Sequence, residues 1–218
     1  MAAEALNGPV DVAPTADGGP RVSYVNETGD AQQCIGFTAP YSTIDELGIN
    51  PNEIDMDDTL GTGQTLIDID SRGGVSMLDA DLAGNLISYE TDLVNSLVVK
   101  MAGFTGLDLG LVEIIPIPGA SVPAGETVTW DAPTPDTPAA VSLICRPAGG
   151  GDLVRYNGID PQVVADQINE RLGPAGSVTA GSISGGSVEV GATAVGSVAD
   201  ALGQEAPPAE DDGGFFGS

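Results

Sequence analysis

The sequence predicts a mainly β fold, an antiparallel β-sandwich or single jelly roll with one short C-terminal amphipathic helix and extended arms. Short apolar runs recur between turns rich in Gly, Pro and Asp, as they do in antiparallel sandwiches and barrels. One segment near residue 160 carries both the start and the stop signals of a helix. The two ends of the chain lack the apolar periodicity of a packed element.

Seven apolar runs are the predicted strands. They cover residues 22–25, 34–37, 65–69, 97–101, 109–117, 127–130 and 141–145. The clearest follows a Pro-Ala-Gly turn, and its Val128 and Trp130 face one side of an alternating strand; it resembles a phrase common in β-sandwich modules. Pro116 and Pro118 cannot donate to a ladder, so the run 109–117 is expected at a sheet edge or a bulge.

Residues 76–103 fit two patterns. Leucines and a tyrosine recur every three or four residues, which is typical of an amphipathic helix. The turn signal Ala83-Gly84-Asn85 and the alternation of residues 87–91 instead indicate a hairpin. We favour strands and turns for this stretch.

The helix is predicted directly after Asp160. Asp160 suits an N-cap, Pro161 the first helical position, and Gly173-Pro174 the terminator. The apolar stripe of this helix comprises Val164, Ile168 and Leu172. Because a helix of about twelve residues is marginal alone, the stripe must pack on the sandwich or on another subunit.

Four segments divide the chain. Residues 1–20 are predicted as an N-terminal arm, 21–150 as the β-sandwich core, and 151–175 as a linker with the short helix. Residues 176–218 form a Gly-rich pentad repeat with an acidic tail, which is either an assembly arm or a spacer.

Glycine recurs every five residues from Gly176 to Gly196, with a β-branched residue third in every unit. This period fits neither one helix face nor a flat strand, so it indicates an extended chain laid on a repeated groove. A flexible Gly/Ser/Ala spacer is the alternative. The predicted assembly contacts of this arm and its tail are Val178, Ile183, Val188, Val198, Phe215 and Phe216.

The charge of the chain excludes several function classes. There are 32 acidic and 6 basic residues and no histidine, giving a formal net charge of −26. Phosphate backbones are repelled by such a surface, so we expect no nucleic-acid partner. Without histidine, Ser-His-Asp and Cys-His nucleophile systems are excluded, and we expect no enzyme activity.

One-sided charge also predicts the solvent. Self-repulsion must be screened by the medium, and high salt does this. The Asp-rich composition, with the single lysine Lys100 and few arginines, resembles proteins of salt-accumulating halophiles such as haloarchaea and their viruses. A secreted protein of a GC-rich bacterium is the alternative.

Two acidic clusters are candidate cation sites. The first overlays the frame of an EF-hand calcium loop, but Arg72 stands at its fifth position, where a cation opposes calcium. A hairpin turn at residues 71–74 is therefore favoured there. We expect no cofactor, with Ca²⁺ or another cation as the alternative. The candidate ligands are Asp68, Asp70 and Asp79 in the first cluster and Asp55, Asp57 and Asp58 in the second.

Cys34 and Cys145 are the only cysteines, and both lie in strand-like runs. A bridge between them would close a loop of over a hundred residues and stabilise the fold by about 4–5 kcal/mol in the chain-entropy model. Two buried free thiols are the alternative.

Three other motifs do not establish an activity. Residues 61–65 are glycine-rich but lack the lysine of a P-loop. Ser96 and Lys100 are spaced as in a Ser-Lys pair, without a motif for an oxyanion hole. Asn26 begins an N-glycosylation acceptor, which matters only in an exported protein.

We therefore expect a virion structural protein, a capsid or capsid-associated subunit of a halophilic virus. Its partners would be itself and other structural subunits, bound through sheet edges and terminal arms. The alternative is an exported cell-surface Ig-like binding or adhesion module with a C-terminal spacer, located outside the cell. The N-terminal residues lack a signal-peptide pattern, and no apolar stretch is long enough to span a bilayer, so we expect no direct membrane insertion.

Overall fold

The computed structural model describes residues 8–49, 59–91, 94–106, 119–135, 138–172 and 179. The strands of this part are β1 (Val10–Pro14), β2 (Pro20–Val25), β3 (Gln32–Pro40), β4 (Ser76–Ala80), β5 (Leu86–Glu90), β6 (Ala120–Val122), β7 (Thr127–Asp131), β8 (Ala139–Pro147) and β9 (Val154–Ile159). The helices are α1 (Tyr41–Glu46), α2 (Thr59–Ser71), α3 (Val94–Thr105) and α4 (Pro161–Leu172).

The strands form two antiparallel sheets. One sheet has three strands in the order β1-β2-β7, and the other has six, in the order β5-β4-β3-β8-β9 with β6 also beside β3. β3 and β8 pair along residues 32–40 and 139–147 at the centre of the larger sheet. The mainly β, sandwich-like fold predicted from the sequence is confirmed, and the sheets are not closed into a barrel.

The six-stranded sheet is buried on both faces. Along β3, alternate side chains point to opposite sides: Cys34 lies in a core shared with the three-stranded sheet, whereas Ile35 and Phe37 lie in a second core with the helices. The largest buried side chains of the first core include Trp130 and Tyr24. The molecule is thus layered as three strands, six strands and helices.

Four of the predicted runs coincide with strands. Residues 22–25, 34–37, 127–130 and 141–145 lie in β2, β3, β7 and β8. The prediction of strands at residues 65–69 and 97–101 is wrong, because these runs lie in α2 and α3. Apolar runs of five residues do not separate a strand from a buried helical turn. The run 109–117 lies outside the described residues.

Residues 76–103 contain both patterns seen in the sequence. The favoured strands and turn hold for β4 and β5, and a helix, α3, begins at Val94. In the turn between the strands, Asp81 Oδ1 accepts hydrogen bonds from the N–H groups of Ala83 (2.8 Å) and Asn85 (2.9 Å). Gly84 supplies the positive φ of +84° that this turn needs.

The N-terminal segment differs from the predicted arm. Val10–Pro14 pairs with β2 in an antiparallel hairpin, and Val10 and Val12 are buried in the first core. The arm prediction therefore does not hold for residues 10–14, which belong to the sandwich. Residues 1–7 lie outside the described part.

The predicted helix is confirmed as α4. The N–H of Gln162 donates to Asp160 Oδ1 at 2.8 Å, as expected of an N-cap. Val164 and Ile168 are buried and pack against Ile159 of β9. These two members of the stripe therefore pack within their own chain.

Candidate functional site

The overlay with an EF-hand loop does not form a calcium loop. Asp68 and Asp70 lie on α2 and Asp79 lies on β4, so a helix and a strand, not a hairpin, flank residues 72–75. The carboxylate of Asp79 is buried and its Oδ2 accepts a hydrogen bond from Lys100. No group of three or more acidic, Cys or His side chains that could hold a metal ion occurs among the described residues. Asp55, Asp57 and Asp58 lie outside them.

The only lysine joins β4 to α3. Lys100 Nζ lies 2.7 Å from Asp79 Oδ2 and 5.4 Å from the centroid of the Tyr89 ring. Burial lowers the pKa of Lys100, but the hydrogen bond to Asp79 and the interactions with Tyr89 outweigh burial, so the pKa lies above its ordinary value. Lys100 therefore lies in an ion pair with Asp79 in this structure.

A second cation contacts the C-terminal end of α3. Arg146 extends from β8, and its Nη1 donates to the carbonyl oxygen of Phe104 at 3.2 Å. Its guanidinium lies 4.8 Å from the centroid of the Phe104 ring, and its Nε donates to Gln33 Oε1 at 3.3 Å. A cation at a helix C-terminus satisfies unpaired carbonyls and interacts favourably with the helix dipole.

Two arginines form ion pairs at the surface. Arg21 Nε and Nη2 donate to the two carboxylate oxygens of Asp131 at 2.6 and 3.0 Å, a bidentate arrangement. The hydrogen bond from Arg21 lowers the pKa of Asp131. Arg72 Nη1 donates to Glu46 Oε2 at 2.8 Å. Arg21, Arg72, Lys100 and Arg146 thus each bind a partner within the chain.

Cys34 and Cys145 form a disulfide, one of the two alternatives left open by the sequence. They lie directly opposite each other on β3 and β8. Ladder bonds from Ala148 N–H to Ala31 O and from Tyr41 N–H to Pro138 O flank this pairing. Because the ladder alternates, the cysteines occupy a non-hydrogen-bonded pair, where facing side chains are closest.

Asn26 is not open to glycosylation in the folded chain. Its side chain is fully buried. Nδ2 donates to the carbonyl oxygens of Asp30 (2.9 Å) and Val122 (2.8 Å), and Oδ1 accepts a hydrogen bond from Thr28 Oγ1 at 2.6 Å. Asn26 therefore closes the loop after β2 and ties it to β6.

The outer edge of β1 presents backbone groups that pair with no other strand in the described part of the chain. Val25 N–H donates to Pro9 O at 2.9 Å, and Thr15 N–H donates to Gly19 O at 2.8 Å. Odd-numbered residues of β1 therefore bond to β2, and the N–H and C=O groups of Val10 and Val12 point away from β2. As whole residues, Val10 and Val12 are only 6% and 2% exposed. This edge was not predicted from the sequence, because residues 10–14 were assigned to an N-terminal arm and not to a strand.

The outer face of the three-stranded sheet adjoins this edge and carries little net charge. Its rows across the strands are Ala13, Arg21 and Asp131; Asp11, Ser23 and Thr129; and Val25 with Thr127. Arg21 and Asp131 neutralise each other, and Ser23 Oγ lies 3.2 Å from Thr129 Oγ1. The net charge of these rows is that of Asp11 alone.

The predicted arm contacts remain predictions. Val178, Ile183, Val188, Val198, Phe215 and Phe216 lie outside the described residues. Neither the ordered arm nor the spacer is tested by the described part of the chain.

No protein-family model, curated protein or solved structure matches this chain. No helix in the described ranges is both long and apolar enough to cross a membrane. The edge of β1, which pairs with no second strand among the described residues, and the adjoining outer face are the candidate functional site.

Proposed function

We propose that the protein is a structural subunit of a halophilic virion, a capsid or capsid-associated protein whose copies associate through the edge of β1. The observation that carries this proposal is the outward direction of the Val10 and Val12 backbone groups. A strand edge with unpaired backbone groups is a template for pairing with another chain. A second copy can satisfy these groups by adding a strand once they become accessible, because Val10 and Val12 are 6% and 2% exposed in the single chain.

The charge distribution favours another copy as the partner. Copies that each carry −26 repel one another, so contact is least costly where a surface has little charge and where salt screens the remainder. The outer face beside β1 meets this condition because Arg21 neutralises Asp131 within the face.

The short length of the edge favours a many-copy assembly. Two outward residues offer at most a few backbone hydrogen bonds, each worth about 0.5–1.5 kcal/mol net. Such a contact is too small for a tight isolated dimer but gains strength where many copies, or terminal arms, add further contacts.

A matched pair of variants at Val12 tests this proposal. Val12→Pro removes an outward N–H that β2 does not use, whereas Val12→Ala removes side-chain packing and keeps the N–H. We expect sedimentation in molar salt to show assembly of the wild type and of Val12→Ala, and loss of assembly in Val12→Pro. Equal assembly by the two variants, or a wild-type monomer at every salt concentration, would contradict the proposal.

The second candidate is an exported cell-surface Ig-like module, and the disulfide favours it. Disulfides form and persist in oxidising environments outside the cytosol. Mass spectrometry of source material separates the candidates. The protein would be enriched in purified particles if it is a virion subunit and in the cell envelope if it is a surface module.

A further inference from the structure

The disulfide lies between the two sheets. Cys34 and Cys145 belong to the core that the six-stranded sheet shares with the three-stranded sheet, and neither residue has exposed surface. The three-stranded sheet contributes the buried side chains of Val22 and Trp130 to this core. The three-stranded sheet therefore covers the bond.

Thiol–disulfide exchange requires a thiolate to reach a sulfur atom of the bond. In the closed sandwich no sulfur is accessible, because both cysteines are fully buried. Burial would also block formation of the bond, because an oxidant must reach one of the two thiols to form a mixed disulfide with it.

We propose that the Cys34–Cys145 bond forms before the two sheets close and is exchanged only when they separate. In the forming step the two thiols release two protons and two electrons. An oxidant that carries a disulfide accepts the two protons and the two electrons and is reduced to two thiols. The redox state of the folded chain is thus set by the compartment in which it folds.

Burial of the bond bears on both candidate functions. A subunit that folds in a reducing cytosol would carry two buried thiols, and later exposure to an oxidant would not join them. A chain isolated with the bond intact has therefore folded in an oxidising environment, whichever function it performs.

The rate of reduction tests the proposal. The oxidised full chain is incubated with dithiothreitol in native buffer or in unfolding urea, alkylated at intervals with iodoacetamide, and weighed by mass spectrometry. We expect reduction to be at least a hundredfold slower in native buffer. A smaller ratio would overturn the proposal.

Two buried variants test whether separation of the sheets is the route. Val22→Ala loosens the sheet that covers the bond, while Leu97→Ala loosens the helical side; both positions are fully buried. We expect Val22→Ala to speed native reduction at least fivefold and Leu97→Ala to speed it less. An equal or larger effect of Leu97→Ala would assign exchange to global unfolding and overturn the proposed route.

Discussion

The two faces of the six-stranded sheet are held by different chemistry. Towards the three-stranded sheet, an apolar core contains the Cys34–Cys145 bond. Towards the helices, an apolar core is supplemented by two cations. Lys100, in the middle of α3, pairs with Asp79 of β4, and Arg146 contacts the C-terminal end of α3. One face thus has a covalent link that is insensitive to salt, and the other depends on two of the six basic residues of the chain. In this acidic protein, scarce positive charge supports its own fold.

The largest effect is expected from the covalent side. Replacing both cysteines by alanine opens a loop that spans a sequence separation of 111 residues. We expect the free energy of unfolding to fall by about 4–5 kcal/mol, because the unfolded chain gains loop entropy. Urea denaturation monitored by Trp130 fluorescence measures this. A loss below about 2 kcal/mol, the lower end of the usual range, would contradict the claim that the disulfide makes the largest contribution to stability.

The ion pair on the helical side is expected to respond unequally to removal of its two partners. Lys100→Met leaves the carboxylate of Asp79 buried without its cation, which costs about 3 kcal/mol. Asp79→Asn leaves a lysine whose side chain is 33% exposed and reaches water, so we expect about 1 kcal/mol. Urea denaturation of both variants gives the comparison. A greater loss in Asp79→Asn would show that the buried carboxylate is not the sensitive partner.

The Lys100–Asp79 pair predicts that its contribution to the stability of the fold is lost at high pH. The folded-state pKa of Lys100 is raised above its ordinary value. Its stabilising contribution is therefore complete below the unfolded pKa of about 10.4 and is lost as the pH rises through the raised folded pKa. We expect the urea midpoint of the wild type to fall more steeply than that of Lys100→Met above about pH 10. Parallel curves would contradict this linkage.

The smallest effects are expected where cations lie nearer the surface. Arg146→Met removes the contact with the Phe104 carbonyl and should cost about 0.5–1 kcal/mol, with faster amide exchange at the end of α3. Arg72→Met is the matched control, because its pair with Glu46 is exposed and such pairs contribute about 0–1 kcal/mol. Faster exchange in α3 of the control would contradict the specific role of Arg146.

The central strands were predictable from sequence, whereas two helices were not. β3 and β8 consist of apolar, partly β-branched runs between turn signals. α2 contains Gly61 and Gly63, which have low helix propensity, and α3 contains the valine pair of residues 98–99. Packing against the six-stranded sheet, which no local pattern displays, determines the helical state of both segments.

The disulfide was one of two open alternatives in the sequence, but the ion pair and the open edge were not foreseen. Lys100 and Asp79 lie 21 residues apart and meet only because α3 packs on the helical face of the six-stranded sheet. The one sequence feature that could have indicated this ion pair is the position of the single lysine within an apolar run. β1 was hidden because Asp11 and Pro14 interrupt a short apolar pattern.

Electron microscopy of the purified full chain in molar salt tests the central claim most directly, namely that copies assemble through the outer edge of the three-stranded sheet. We predict ordered shells, lattices or filaments in which neighbouring copies meet at β1. Isolated single copies at every salt and protein concentration would contradict the account.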